Sequence, residues 1–199
     1  MLRRLVDSHW AFRLALALPW IGMLVQFARL GSWSLFIDQS GEWAVRMLIL
    51  TLAVSPARIV MKQLRMGPHW PMWLMQRRRE IGMATFLYAL LHLCLYLVRQ
   101  WNIHVVIFDL HSIAYLAGWF GFATLLALAI TSNDASVHGL GRWWKPLQRL
   151  VYLSTACAFL HWYWIRLDHR MLWLQLLVLV ALEGYRMLYN FGRPAGVRH

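Results

Sequence analysis

Between Glu80 and Arg99 the chain reads Ile81-Gly82-Met83-Ala84-Thr85-Phe86-Leu87-Tyr88-Ala89-Leu90-Leu91-His92-Leu93-Cys94-Leu95-Tyr96-Leu97-Val98, without one formally charged residue. At the α-helical rise this run is about 27 Å long, close to the thickness of a bilayer's hydrocarbon core. Working outward, further apolar segments of similar length recur in both directions. The approximate spans are 11–30, 43–61, 81–99, 112–131, 147–166 and 170–189. They predict an all-α fold, an integral membrane six-helix bundle formed by residues 1–199 as a single domain. Ser55-Pro56 in the second span predicts a bend, because proline removes a backbone donor. The opening Met1-Leu2-Arg3-Arg4 resembles the charged start of a signal peptide, but no small-x-small cleavage site follows clearly, so a retained first helix is expected. The intervening stretches 31–42, 62–80, 100–111, 132–146 and 167–169 are expected to be connections.

Composition agrees. The 199 residues are 60% hydrophobic and 14% charged, with 13 Trp and a mean hydropathy of +0.49. A soluble domain carries about 25% charged residues. The net charge of +12 raises the question of nucleic acid, yet the basic residues lie between apolar runs rather than along a polar face. A lipid bilayer, not nucleic acid, is the partner this pattern implies. Cys94 and Cys157 sit inside apolar runs and form no C-x-x-C-H motif, so a covalently attached haem is unsupported.

The basic residues also orient the bundle. With the N-terminus and C-terminus cytoplasmic, Arg3, Arg4, Arg13, Arg58, Lys62, Arg65, Arg77, Arg78, Arg79, Arg142, Lys145, Arg149, Arg186, Arg193 and Arg198 fall inside. Only Arg29, Arg46, Arg99, Arg166 and Arg170 fall outside. The positive-inside rule favours this orientation.

Of nine histidines, seven lie in connections or near helix ends, where water satisfies an imidazole. His92 and His161 do not. An ionisable side chain at such depth is costly and marks a functional site, although either one alone also reads as a core histidine bonded to a neighbouring helix. The third and fifth spans run in the same direction. His92 lies about 18 Å beyond Glu80 and His161 about 21 Å beyond Leu147 by helical rise. Two imidazoles at one level can approach a single haem iron from opposite faces. Both are therefore candidate axial ligands of a b-type haem. Arg99 and Arg166, shortly beyond them, are candidate partners for its propionates; snorkelling to the interface is the other reading. Ser154, Cys157 and Ala158 around His161 leave room for a macrocycle or simply permit close helix packing.

From Arg77 to Trp164 the chain resembles the MsrQ (YedZ) family, within the ferric-reductase-like transmembrane group. The stretches that carry the likeness are Arg78-Arg79-Glu80-Ile81-Gly82, Tyr88-Ala89-Leu90-Leu91-His92-Leu93 and Ala129-Ile130-Thr131-Ser132-Asn133. They continue with Leu140-Gly141-Arg142-Trp143-Trp144-Lys145-Pro146-Leu147-Gln148-Arg149-Leu150-Val151-Tyr152 and Leu160-His161-Trp162. The resemblance implies a haem-binding membrane subunit in the bacterial inner membrane. Such a subunit takes electrons from the quinone pool or a cytoplasmic flavin reductase. It passes them to a periplasmic molybdenum-containing MsrP-type reductase, which repairs methionine sulfoxide in oxidised proteins. Haem b is the implied cofactor, FMN has also been attributed to the family, and His92 and His161 match haem-associated positions. The chain is then an electron-transfer subunit rather than the catalytic one. Many relatives carry histidine where this chain has Gln148, a poor iron ligand, and one haem is therefore expected. Arg77, Arg78 and Arg79 read as a flavin or quinone site or, more simply, as a topology anchor.

No G-x-G-x-x-G motif is present, which excludes a built-in nicotinamide domain. Two other functions stay open: direct reduction of ferric or cupric ions by the same haem, and a transporter with a histidine relay. A relay usually needs further ionisable groups in the bundle, and only Glu183 lies well within a span.

Overall fold

The computed structural model describes residues 8–192; Arg3, Arg4, Arg193, Arg198 and His199 lie outside the described residues. Helices account for the regular structure throughout those residues, and no strand occurs among them. Helix α1, His9–Leu30, is capped by Ser8, whose hydroxyl accepts from the Ala11 amide. It stops at Gly31, whose left-handed φ of 61° turns the chain while its N–H donates to Phe27 O. Ser32 then caps α2, Trp33–Gln63. Helix α3 is His69–Gln100, followed by α4, Ile103–Asp109, and α5, Ile113–Ile130. Asn133 caps α6, Asp134–Leu140, by accepting from the Ser136 amide at 2.8 Å. A 3₁₀ turn, Gly141–Trp143, leads into α7, Trp144–Gln148, then α8, Val151–Ile165, and α9, Arg170–Phe191.

Helices α1, α2, α3, α5 and α9 are long and apolar enough to cross a membrane by length and composition. Three expectations about boundaries need correction. Residues 33–42, expected as connection, form the first turns of α2, and that helix continues through Pro56 to Gln63. Residues 69–80, also expected as connection, form the first three turns of α3. The expected fifth span, 147–166, is divided. Arg149 and Leu150 donate to Pro146 O and Leu147 O at 3.0 Å, a tightened turn that ends α7. Helix α8 alone has 15 residues, about 22 Å by helical rise.

Lipid inverts the usual surface. Leu14, Leu18 and Ile21 follow one face of α1 and are 67%, 61% and 59% exposed, a stripe that only an apolar surrounding makes cheap. Helix α2 is the centre. It contributes Val45, Leu48, Ile49 and Leu52 to a core shared with Leu128 of α5, Phe159 and Trp162 of α8, and Leu172 and Leu179 of α9. On its other side Phe36 and Met47 join Met23 of α1 and Ala84, Tyr88 and Leu95 of α3. The closest pairings are α2 with α3 and α5 with α8. These two helix pairs face one another across the cavity described next.

Candidate functional site

One cavity opens between the two pairs. It encloses about 1260 Å³ of empty space, part of it continuous with the surroundings, and its walls are mostly apolar. His92 of α3 and His161 of α8 both line it, together with Trp119, Phe122, Leu125 and Trp162. The imidazole centres are 6.2 Å apart and their planes stand 79° to each other. Helical rise alone puts the two histidines within a turn of one level, and the structure brings their rings together edge to face.

Each ring is held from behind. His92 Nδ1 is 2.9 Å from Ile37 O and 3.1 Å from Ser40 Oγ, while His161 Nδ1 is 2.7 Å from Ala114 O. A carbonyl oxygen can only accept, so Nδ1 of each imidazole carries the proton. In the neutral ring Nε2 then keeps its lone pair. Two glycines make room for this geometry. A Cβ added at Gly41 would lie 3.0 Å from His92 Cε1, and one at Gly118 would lie 2.8 Å from His161 Nδ1.

These residues fit a haem. A metal-bound imidazole nitrogen sits about 2 Å from its ion, which with half of each ring puts two opposed ring centres roughly 6 Å apart. The observed separation is of that size. The apolar, aromatic walls suit a flat macrocycle, and Ala89, Ser154 and Ala158 present small side chains to it. Other residues on the two histidine-bearing helices serve packing instead. Thr85 meets Thr51 at 3.1 Å, Tyr88 Oη donates to Leu16 O at 2.9 Å, and Cys157 lies against Gly121.

One end of the cavity is polar. Asp38 and Glu42, one turn apart on α2, line it with Arg166. Arg166 pairs with Asp38 and lies 3.8 Å from Glu42, whose other oxygen accepts from Arg46 at 2.8 Å. Asp38 and Glu42 escaped the sequence reading because their stretch was assigned to a connection. The i, i+4 spacing of Asp38, Glu42 and Arg46 is the signal that marks them as helical. Arg99, the other candidate propionate partner, instead lines a shallow recess with Trp33, Ser34 and Val98.

Arg77, Arg78 and Arg79 do not converge. Arg77 is buried between the rings of Phe12 and Trp73, 5.4 and 5.6 Å from their centres, and donates to Glu80. Arg79 binds Asp134 at 2.7 Å. Gln148 donates to Thr131 Oγ1 at 3.1 Å, beside the bond from Trp144 Nε1 to Thr131 O, and so ties α7 to the end of α5.

The ferric reductase like transmembrane component family model matches residues 40–159, from beside Gly41 to just before His161. The chain belongs to that ferric-reductase-like family. Its members' transmembrane character, together with the five long apolar helices, makes this a multi-pass membrane protein. Within the family the chain is similar to proteins named protein-methionine-sulfoxide reductase heme-binding subunit MsrQ. Those of Brucella ovis, Brucella canis and Brucella melitensis are each 36% identical over 124 residues, covering 61% of this chain and 52% of the relative. The match thus spans about half the length of these curated relatives. The matched stretch, residues 40–159, contains Gly41, His92 and Gly118 and ends two residues before His161.

Proposed function

We propose that this ferric-reductase-like chain is a b-type haem membrane subunit of the bacterial inner membrane, with both termini cytoplasmic. In this reading it passes electrons from the quinone pool or a cytoplasmic flavin donor to a periplasmic MsrP-type methionine sulfoxide reductase, which repairs oxidised proteins. The observation that carries the proposal is the pair of imidazoles, 6.2 Å apart, with Nδ1 of each turned to a helix carbonyl. The relatives' description as heme-binding subunits of a methionine sulfoxide reductase supports the physiological role.

A bound haem supplies a one-electron centre whose potential its axial ligands help to set. The chain does the rest. His92 and His161 would hold the haem through Nε2, and the Nδ1 bonds fix their rotation. Trp119, Phe122, Leu125 and Trp162 exclude water. Arg166 is the propionate partner this geometry favours over Arg99, since it lines the same cavity. Five residues after His161, it places the polar end towards the side to which α8 runs, which is the periplasm in the proposed orientation. A single haem is favoured by the packing further inward. Thr85, about 10 Å before His92 along α3, is sealed against Thr51, and the Gln148 amide is engaged by Thr131. Arg77, held by Phe12, Trp73 and Glu80, and Arg79, held by Asp134, support a topology anchor more than a flavin or quinone site.

A reduced-minus-oxidised spectrum of the purified chain is expected to show a low-spin b-haem band, abolished in both His92→Ala and His161→Ala. In membranes, the reduced band is expected to reoxidise faster when an MsrP-type reductase and a methionine sulfoxide substrate are added. Full haem content in either variant removes that histidine from ligation, and equal rates with and without the reductase remove the proposed acceptor. Direct metal reduction is the second reading, because Asp38 and Glu42 at the polar end could draw a cation. Acceleration by ferric or cupric ions alone would select it.

A further inference from the structure

The two histidines are seated in the same way on unrelated sequences. On α2 the segment is Ile37-Asp38-Gln39-Ser40-Gly41, and on α5 it is Ala114-Tyr115-Leu116-Ala117-Gly118. In each, the carbonyl that receives the imidazole stands four residues before the glycine that touches it. That spacing has a physical reason. A helix carbonyl bonds the N–H of residue i+4 and keeps a second lone pair. A side chain at i+4 rises beside that lone pair and screens it. Glycine leaves it open, so an imidazole from the paired helix can lie in the gap and donate.

We propose that Gly41 and Gly118 are positioning residues. Each opens the carbonyl one turn before it, Ile37 or Ala114, as the acceptor that fixes the Nδ1–H tautomer and rotation of the facing histidine and so aims Nε2 into the cavity. The inference rests on the haem reading above and deepens it. It adds two helices to the site: α2 and α5 contribute no iron ligand, yet they set the direction of both. Ser40 reinforces one seat, since its hydroxyl donates to Ile37 O at 2.6 Å and stands 3.1 Å from His92 Nδ1.

The seats are specific among the glycines in helices. A Cβ at Gly41 or Gly118 meets an imidazole at 3.0 or 2.8 Å, whereas one at Gly22 or Gly184 meets nothing within 4 Å. Alanine at Gly118 forces the His161 ring to shift, and alanine at Gly41 crowds the His92 ring by a few tenths of an ångström, in each case against the bond to the carbonyl. Donation from Nδ1–H raises the basicity of a ligating imidazole, which favours ferric over ferrous iron. Losing it should raise the haem's midpoint potential.

The test compares haem content and midpoint potential of the purified full-length chain carrying Gly41→Ala, Gly118→Ala, Ser40→Ala or Gly22→Ala. Both seat variants are expected to lose at least half of the haem, and the remainder to titrate at higher potential. Gly22→Ala is expected to match the wild type. Ser40→Ala adds no volume and keeps the fold testable; it should retain haem and show an upward shift. Wild-type content and potential in either seat variant, an unchanged potential in Ser40→Ala, or equal loss in Gly22→Ala overturns the proposal. A wild-type chain without haem fails the functional reading itself, which separates the two failures.

Discussion

Arg77 shows how much of a membrane bundle's polar chemistry is structural. Its side chain is 2% exposed, packed between Phe12 and Trp73, with Glu80 at 3.3 Å as its ion-pair partner. Glu80 keeps His9 and Arg13 as partners when Arg77 is removed, so the loss is one ion pair and the packing of a buried side chain against two aromatic rings. Arg77→Ala should therefore lower the thermal midpoint in detergent markedly while the protein that remains folded keeps a normal haem spectrum. An unchanged midpoint would show that the contacts with Phe12, Trp73 and Glu80 contribute nothing. His92 and His161 were legible in the sequence because an imidazole inside an uncharged apolar run has no solvent to satisfy it. Their seats were not. Gly118 is one small residue among several in α5, and its role depends on a ring 43 positions away.

At the scale of elements, the apolar runs were readable and their polar extensions were not. Hydropathy ends a span where charge appears, yet α2 starts at Trp33 and α3 at His69 because tertiary partners absorb that charge. Asp38 and Glu42 meet Arg166, Glu80 meets His9 and Arg79 meets Asp134. Helix α6 offers a titratable case outside the spans. The Arg79 guanidinium holds the Asp134 carboxyl below its ordinary value. A carboxyl depressed in the folded state contributes its tie above the ordinary value and loses it as pH falls through the depressed one. Protection of the amides across residues 134–140, corrected for the intrinsic pH dependence of exchange, should accordingly fall as pH drops below the ordinary carboxylate range. Asp134→Asn should show the lower protection at every pH. An identical pH response in that variant would assign the change to other carboxyls.

The whole molecule places two helix pairs, α2 with α3 and α5 with α8, around one cavity, and encloses them with α1 and α9. Each pair supplies one histidine and the glycine that seats it. Nothing in the linear pattern announces this repetition, because it lies in backbone spacing rather than residue identity. The charge bias, by contrast, is visible in the placement of Lys and Arg along the sequence, and it is the ground on which cytoplasmic termini are proposed. The haem count per chain tests the account most directly, through a pyridine haemochrome assay on purified protein of known concentration. One b-type haem per chain is the predicted result, falling towards zero when either His92 or His161 is replaced by alanine. No haem in the wild type, or two that survive loss of one of these imidazoles, would contradict it.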